Sequence, residues 1–490
     1  MKNLVSVVVF SLISIISFSQ AKKTVATKPA VSTVNTGRNI SITISPYKNT
    51  WIYIGSYYGK GKTLADSTFL DDKGHGVFKS TEKLTPGIYF VVSPQMSVLF
   101  DFLMDSKQQF SIVADTLHKD QAVVTGSPDN DLFKSYSQYS ITKGKALSEL
   151  NTAYQKATTK ADSSRLRDEI IKGNKELQAY RENFVKQHPT ALLSILFNAM
   201  KQPEAPPIPV INGKPDSLYP YRYVKDHFWD DTRFNDERLL RTPFFETKLD
   251  NYFKYYVVPD ADTIYNEVKY ILLQARTSKE MYAYLLTKFT NKYINPEFMG
   301  QDKVFLNLFE NFYAKGDTTY LNAASRKMIF ERAYSLIANQ IGGQAPVLDL
   351  TDTTGKSVAL YNVDAKFILV TFWDPTCGHC KEEIPRLDSL YKAKWKDLGV
   401  KVYSVIVKDD LVKDLKVFLK DKHISSDWIE VYQTKESRAA EEAAGQPGYH
   451  QLYDVSRTPT FYLLDDKKRI IAKQLSLEQF DAIIVAKLKK

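Results

Sequence analysis

The chain has 490 residues, with 66 Lys and Arg against 56 Asp and Glu and a net charge of +10 at pH 7. The basic excess is spread thinly apart from short clusters such as Lys22-Lys23 and Lys487-Leu488-Lys489-Lys490, so no Arg/Lys tract of the kind that binds nucleic acid is present. Two cysteines in so long a chain exclude a disulfide-stapled scaffold, and the length predicts about three domains.

Residues 1–21 read as a secretory signal. Lys2 supplies the basic start, Leu4 to Phe18 the apolar stretch, and Ser17, Ser19 and Ala21 the small residues near a cut. The stretch is short for a membrane span. The expectation is an exported, soluble, periplasmic protein; the alternative is a membrane anchor made by the uncleaved signal. No cysteine follows the signal, which excludes a lipoprotein anchor. Residues 22–37, rich in Thr, Val, Lys and Ser without a period, predict a linker.

Residues 38–126 predict a β-sandwich-like domain. Ile40 to Ile44, Trp51 to Ile54, Gly87 to Val92 and Ser97 to Leu103 are β-formers separated by turn signals at Asp71 to Gly74 and Thr85 to Gly87. No titratable cluster there looks catalytic, so it reads as a scaffold or recognition module. Ser127-Pro128 predicts a helix start, with Ser as cap and Pro in the first turn. Residues 127–341 then predict a helical domain, with segments at 163–187, 262–275, 278–293, 303–314 and 323–341 carrying apolar residues at helical spacing. The proline-rich stretch 203–220 predicts an extended excursion, either a plain connector or a loop that covers a groove or contacts a partner. His188 and His227 have no metal-ligand spacing and are assigned surface and capping roles.

Gly342-Gly343 marks a boundary. Residues 342–490 alternate between the two periods: a hairpin over 345–360, a buried strand from Lys366 to Trp373, a helix from Lys381 to Trp395, a buried strand from Val400 to Val407, a helix from Leu411 to Lys422, strands at 428–432, 460–464 and 469–475, and a closing helix over 477–487. That order predicts an α/β sheet with helices on both faces. The overall expectation is a multidomain α and β chain ending in an α/β domain.

Both cysteines, Cys377 and Cys380, fall in that last region as Cys-Gly-His-Cys, between a strand and a helix. Such a pair closes to a disulfide and reopens by thiol–disulfide exchange. A structural zinc site needs four ligands and no second cluster exists; a c-type haem needs CxxCH, and Lys381 follows Cys380. A purely structural disulfide would staple distant segments, where the longer loop gives more stabilisation. No metal and no cofactor are therefore expected. At the helix start, free N–H groups and the helix dipole favour a thiolate at Cys377. Cys380 lies one turn on, on the face of Ile384, Leu387 and Tyr391, which predicts a buried sulfur. Pro385 removes one helical hydrogen bond and is expected to kink the helix.

With the strand Val370 to Trp373, the CxxC, and Thr458-Pro459-Thr460 before the strand Phe461 to Asp465, the C-terminal third resembles the thioredoxin fold, specifically its exported TlpA/ResA-like branch. The regions before it resemble poorly characterised modules that precede such domains in Gram-negative exported proteins. The resemblance implies that Cys377 attacks and Cys380 resolves. It implies that Glu383, in the pattern CxxCxxE, relays a proton in place of the aspartate that ordinary thioredoxins carry where this chain has Thr371. It also implies a cis Pro459, with Thr458 and Trp373 beside the substrate. His379, flanked by Gly378, stands where thioredoxin has proline, and the CGHC quartet matches protein disulfide isomerase; a neighbouring imidazolium tunes the couple toward oxidation. Thr376 departs from the tryptophan many relatives carry.

The expected function is an exported thiol–disulfide oxidoreductase, a reductase or isomerase of protein disulfides. Its partners would be disulfide-containing proteins and an electron-donating thiol protein of the membrane or periplasm. The alternative is an envelope binding or assembly protein whose upstream regions recognise a partner, with the redox module accessory.

Overall fold

The computed structural model describes residues 37–118 and 122–489. The signal 1–21 and the linker up to residue 36 lie outside the described residues.

Alternation of β-formers gives eight strands first: β1 (Arg38–Ser45), β2 (Thr50–Tyr58), β3 (Gly61–Leu70), β4 (His75–Ser80), β5 (Gly87–Val92), β6 (Val98–Met104), β7 (Gln109–Asp115) and β8 (Val123–Thr125). They form two four-stranded sheets, ordered β4-β1-β7-β8 and β3-β2-β5-β6. The inward residues of both, among them Ile40, Ile42, Ile54, Tyr89 and Phe102, share one core, as in a sandwich.

Nine helices follow among the described residues: α1 (Pro128–Lys156), α2 (Lys160–Gln187), α3 (Leu192–Met200), α4 (Tyr219–Asp226), α5 (Phe245–Tyr255), α6 (Ala261–Ala275), α7 (Lys279–Tyr293), α8 (Asp302–Asn311) and α9 (Ala323–Ile337). The proline-rich connector carries only a small hairpin, β9 (Val210–Ile211) and β10 (Lys214–Pro215). His188 and His227 cap the C-termini of α2 and α4. Ser127 stands at the N-cap of α1 with Pro128 after it, but its side chain does not cap the backbone. Its hydroxyl instead accepts the Asn130 side-chain N–H at 2.8 Å. Asn130 in turn exchanges two 2.8 Å hydrogen bonds with the Leu103 backbone, tying α1 to β6. Leu103 is buried in the helical core, so strands and helices pack across their boundary. The last helix stops at Ile337, short of the expected Ile341, and Gly342 turns the chain at φ 85°, a conformation glycine adopts without a Cβ penalty.

The C-terminal region is one seven-stranded sheet, ordered β12-β11-β15-β14-β13-β16-β17. Its strands are β11 (Asp349–Asp352), β12 (Ser357–Ala359), β13 (Phe367–Trp373), β14 (Val400–Ile406), β15 (Ile429–Tyr432), β16 (Thr460–Asp465) and β17 (Ile470–Lys473). Its helices are α10 (Gly378–Leu390), α11 (Val412–Asp421), α12 (Lys435–Ala443), α13 (Tyr449–Leu452) and α14 (Leu477–Leu488). Every residue of β13 is buried. This central strand pairs in parallel with β14 and antiparallel with β16, and burial on both faces explains its unbroken apolar run. One face packs Trp373, Leu369 and Val402 against Ile384, Leu387, Leu415 and Phe480. The other packs Phe372, Tyr403 and Tyr462 against Tyr449 and Tyr453. The helices α12 and α13 have no counterpart in the sequence reading. Among the described residues no helix is long and apolar enough to cross a membrane.

The helical region is locked onto this sheet at β17. Lys473 Nζ meets Asp302 at 2.6 Å, with side chains only 6% and 5% exposed. The same ammonium donates to the backbone and side-chain oxygens of Asn339 at 3.0 and 2.7 Å. Asn339 reaches the Leu452 carbonyl at 2.9 Å, and Arg332 pairs with Asp454. Each buried charge is tolerated because its partner and hydrogen bonds replace the lost water.

Candidate active site

Strand β13 ends at Trp373, and four residues later Cys377 takes the N-cap position of α10. The turn between them is held by Asp374, whose Oδ1 accepts the Thr376 N–H at 2.7 Å and the Thr376 hydroxyl at 2.6 Å. Its Oδ2 meets Lys408 Nζ at 3.2 Å, and the Cys377 N–H returns to the Asp374 carbonyl at 3.1 Å. Sequence reasoning missed Asp374; the Asp-Pro-Thr triplet before the first cysteine was its signal, since Asp bonds backbone two residues on.

The two thiols are free and unequal: Cys377 is partly exposed and Cys380 buried. The Cys377 thiol is held below its ordinary value, first by the Cys380 backbone N–H, then by the Thr458 side chain. These are donors to a sulfur anion, which they stabilise. The Cys380 thiol is pushed up to about 12, chiefly by burial. Ile384, Leu387 and Tyr391 are buried on its helix face, as the spacing predicts. The helix runs through Pro385 without interruption and passes into a wider turn of π-helix over Tyr391–Trp395.

The loop before β16 forms the second wall. Thr458–Pro459 is a cis bond, and the Thr458 carbonyl lies 3.7 Å from Cys377 Sγ. Pro459 and Thr458 therefore sit directly against the first thiol. Gly378 and His379 are both exposed. A Cβ at Gly378 would meet open space, so nothing there requires glycine. Glu383 lies one turn past Cys380, its side chain 30% exposed and its carboxylate paired with Arg386. Arg386 also reaches Glu478 on α14 at 2.6 Å. Trp373 requires a correction. Its ring is fully buried, packed with Phe418 at 5.1 Å in the cluster that holds Cys380. It supports the site from beneath and has no surface to offer a substrate.

Beneath this floor lies a polar row absent from the sequence reading. Thr371, Ser404 and Glu430 are register partners across β13, β14 and β15, on the same sheet face as Trp373. The Trp373 indole N–H donates to the Ser404 hydroxyl at 2.7 Å. Both Glu430 carboxyl oxygens are covered and lack a hydrogen-bond partner, although the residue as a whole is only partly buried. Burial raises its carboxyl to about 8. Its signal was a lone charge at a core-facing position of an alternating strand.

A family model described as the AhpC/TSA family matches residues 341–479. The C-terminal region is a thioredoxin-like domain of the AhpC/TSA family. Two upstream models, each described as a domain of unknown function, match residues 39–133 (DUF4369) and 145–335 (DUF5106). The thioredoxin-like domain is homologous to thiol-disulfide oxidoreductase ResA. The Bacillus cereus protein is 28% identical over 134 residues, 27% of this chain and 69% of its own. The Bacillus anthracis protein is 28% identical over 151 residues, 31% of this chain and 78% of its own. A thioredoxin-like protein of known structure from Bacteroides caccae is 21% identical, spanning 59% of this chain and 99% of its own, with a TM-score of 0.45.

Proposed function

We propose that this protein is an exported thiol–disulfide oxidoreductase that uses the Cys377–Cys380 dithiol on protein disulfides. The observation that carries the reading is the inequality of the two thiols. One is partly exposed, favoured as thiolate and set against the Thr458 loop; the other is buried and held protonated. The Cys377 thiolate attacks one sulfur of a substrate disulfide. A mixed disulfide forms and the first substrate thiolate leaves. Cys380, losing its proton, attacks Cys377 Sγ and releases the second thiolate. Two electrons pass to the substrate and the protein is left as the Cys377–Cys380 disulfide, which a thiol-bearing donor protein must reduce again. Residues 1–21 would direct the chain to a periplasm, where such substrates occur. Reduction of insulin disulfides by the full chain with dithiothreitol as donor tests the reading; a rate no higher than dithiothreitol alone would overturn it.

Glu383 is proposed as the acceptor of the Cys380 proton, because it lies one helical turn beyond that thiol with its side chain only 30% exposed. Glu383→Gln should slow turnover about a hundredfold near neutral pH, the low end for general base catalysis. An unaltered pH–rate profile would leave Glu383 as the surface partner of Arg386.

His379 sets the direction. Its exposed ring follows the attacking cysteine by two residues, and a cation there favours the thiolate and so the reduced form. His379→Pro should lower the reduction potential by tens of millivolts, within the ~90 mV separating isomerase-like from thioredoxin-like couples. Equilibration against glutathione measures it, and an unchanged or higher potential counts against the tuning role.

A further inference from the structure

A cleft of about 410 Å³ opens where the helical region meets the thioredoxin-like domain. One wall is the loop after α7, with Glu297, Phe298 and Met299; the other is the loop 454–457, ending in Arg457. Two large apolar side chains on the first wall face solvent: Phe298 is 62% and Met299 39% exposed.

The charges of the cleft sort into spent and unspent. Asp302 is paired with Lys473 and Asp454 with Arg332. Arg457 and Glu297 make no ion pair among the described residues, and both are exposed. The paired charges also fix the walls. Lys473 holds Asp302 and Asn339, and its backbone N–H donates to Met299 Sδ at 3.4 Å. The loop carrying Phe298 is thereby fastened to the strand that follows the active-site edge.

Position identifies the occupant. Arg457 is the residue immediately before Thr458, whose carbonyl lies 3.7 Å from Cys377 Sγ. A chain joined to Cys377 through a disulfide can run along this loop. At about 3.4 Å per extended residue, two or three residues beyond the substrate cysteine span the length from Cys377 past Thr458 to Arg457. A polypeptide delivering a disulfide to Cys377 has flanking residues that can extend along this loop, which a free small disulfide lacks.

We propose that this cleft is the substrate-recognition groove of the dithiol. It takes an extended polypeptide segment next to the target disulfide, with an apolar side chain against Phe298 and Met299 and a carboxylate beside Arg457. This rests on the oxidoreductase reading above and assigns part of the helical region a role in substrate choice.

The test uses the full chain and three probes: a peptide disulfide carrying Leu and Asp two and three residues after its cysteine, the same peptide with Ser and Lys there, and 5,5′-dithiobis(2-nitrobenzoate), which has no peptide to place in the cleft. Phe298→Ser, and separately Arg457→Glu, should each lower the ratio of kcat/KM on the Leu-Asp peptide to that on the small disulfide about tenfold, the scale of one lost side-chain contact. Arg457→Glu should also reverse the preference for Asp over Lys. The altered side chains are exposed, so the fold does not depend on them. Ratios that stay constant, or a wild-type protein that reduces the small disulfide without distinguishing the peptides, overturn the groove alone. A wild-type protein that reduces none of the three overturns the oxidoreductase reading, and the groove with it.

Discussion

Cys377→Ala should reduce turnover of insulin disulfides by more than about 1000-fold, the scale seen when a covalent nucleophile is removed. The buried thiol cannot take over: Cys380 is covered by Ile384, Leu387 and Trp373, and its thiol is pushed up to about 12, so almost no thiolate exists there at neutral pH. Cys380→Ala should behave differently. Attack by Cys377 remains possible, but the thiol that clears the mixed disulfide is gone, so covalent adducts should accumulate and disappear on reduction. Non-reducing gels of the expressed variant, with mass spectrometry of the shifted bands, read this directly. Residual activity in the Cys377 variant, or a Cys380 variant that turns over normally, contradicts the assignment of attacker and resolver. The breadth of the adduct set bears on direction: a few partners fit a dedicated reductase, many fit an isomerase-like generalist.

Glu430→Gln should change the pH dependence of stability more than any other single substitution in the thioredoxin-like domain. Both oxygens of this carboxyl are covered and without a hydrogen-bond partner, and burial raises it to about 8 from an ordinary 4.5. The folded protein therefore keeps the proton over a window in which the unfolded chain releases it. Stability from this group is fully present below about pH 4.5. It falls as pH rises toward about 8 and stays low above that. At about 1.4 kcal/mol per pH unit, the loss is on the order of 3–5 kcal/mol. Gln keeps the shape and cannot ionise, so the variant should gain on the wild type as pH rises and exceed it above pH 8. His450, whose imidazole is held below its ordinary value chiefly by desolvation, acts in the opposite sense: it favours the folded state as pH rises. It is common to both proteins and cancels in the difference. Thermal unfolding followed by tryptophan fluorescence from pH 4 to 9 measures the two curves. Parallel curves would mean that Glu430 reaches water when ionised.

Much of the thioredoxin-like domain was legible because its signals are local. The all-apolar run of β13, the cysteines at a strand-to-helix junction, and the burial of Ile384 and Leu387 below Cys380 follow from strand and helix periods alone. The first four named β segments also fall on strands. Two short helices, α12 and α13, escaped because Lys435–Ala443 is charged on most of its surface and buries nothing, while Tyr449–Leu452 is a single turn. Ser127 shows the limit of capping logic: the position is right, but a neighbouring Asn130 takes the hydroxyl.

By itself the sequence determined where the redox chemistry sits and which cysteine is exposed, since both depend on residues within one turn of each other. Only the tertiary structure decided what surrounds that pair. Thr458 comes 81 residues after Cys377 yet its carbonyl touches the sulfur. Glu430 falls beneath the site because three parallel strands place it level with Thr371 and Ser404. Lys473 finds Asp302 171 positions away, and that pairing sets the helical region beside the Thr458 loop. No periodicity encodes such meetings. They arise when separate apolar faces are buried together, and each buried polar group must then find its partner among whatever the fold brings within reach.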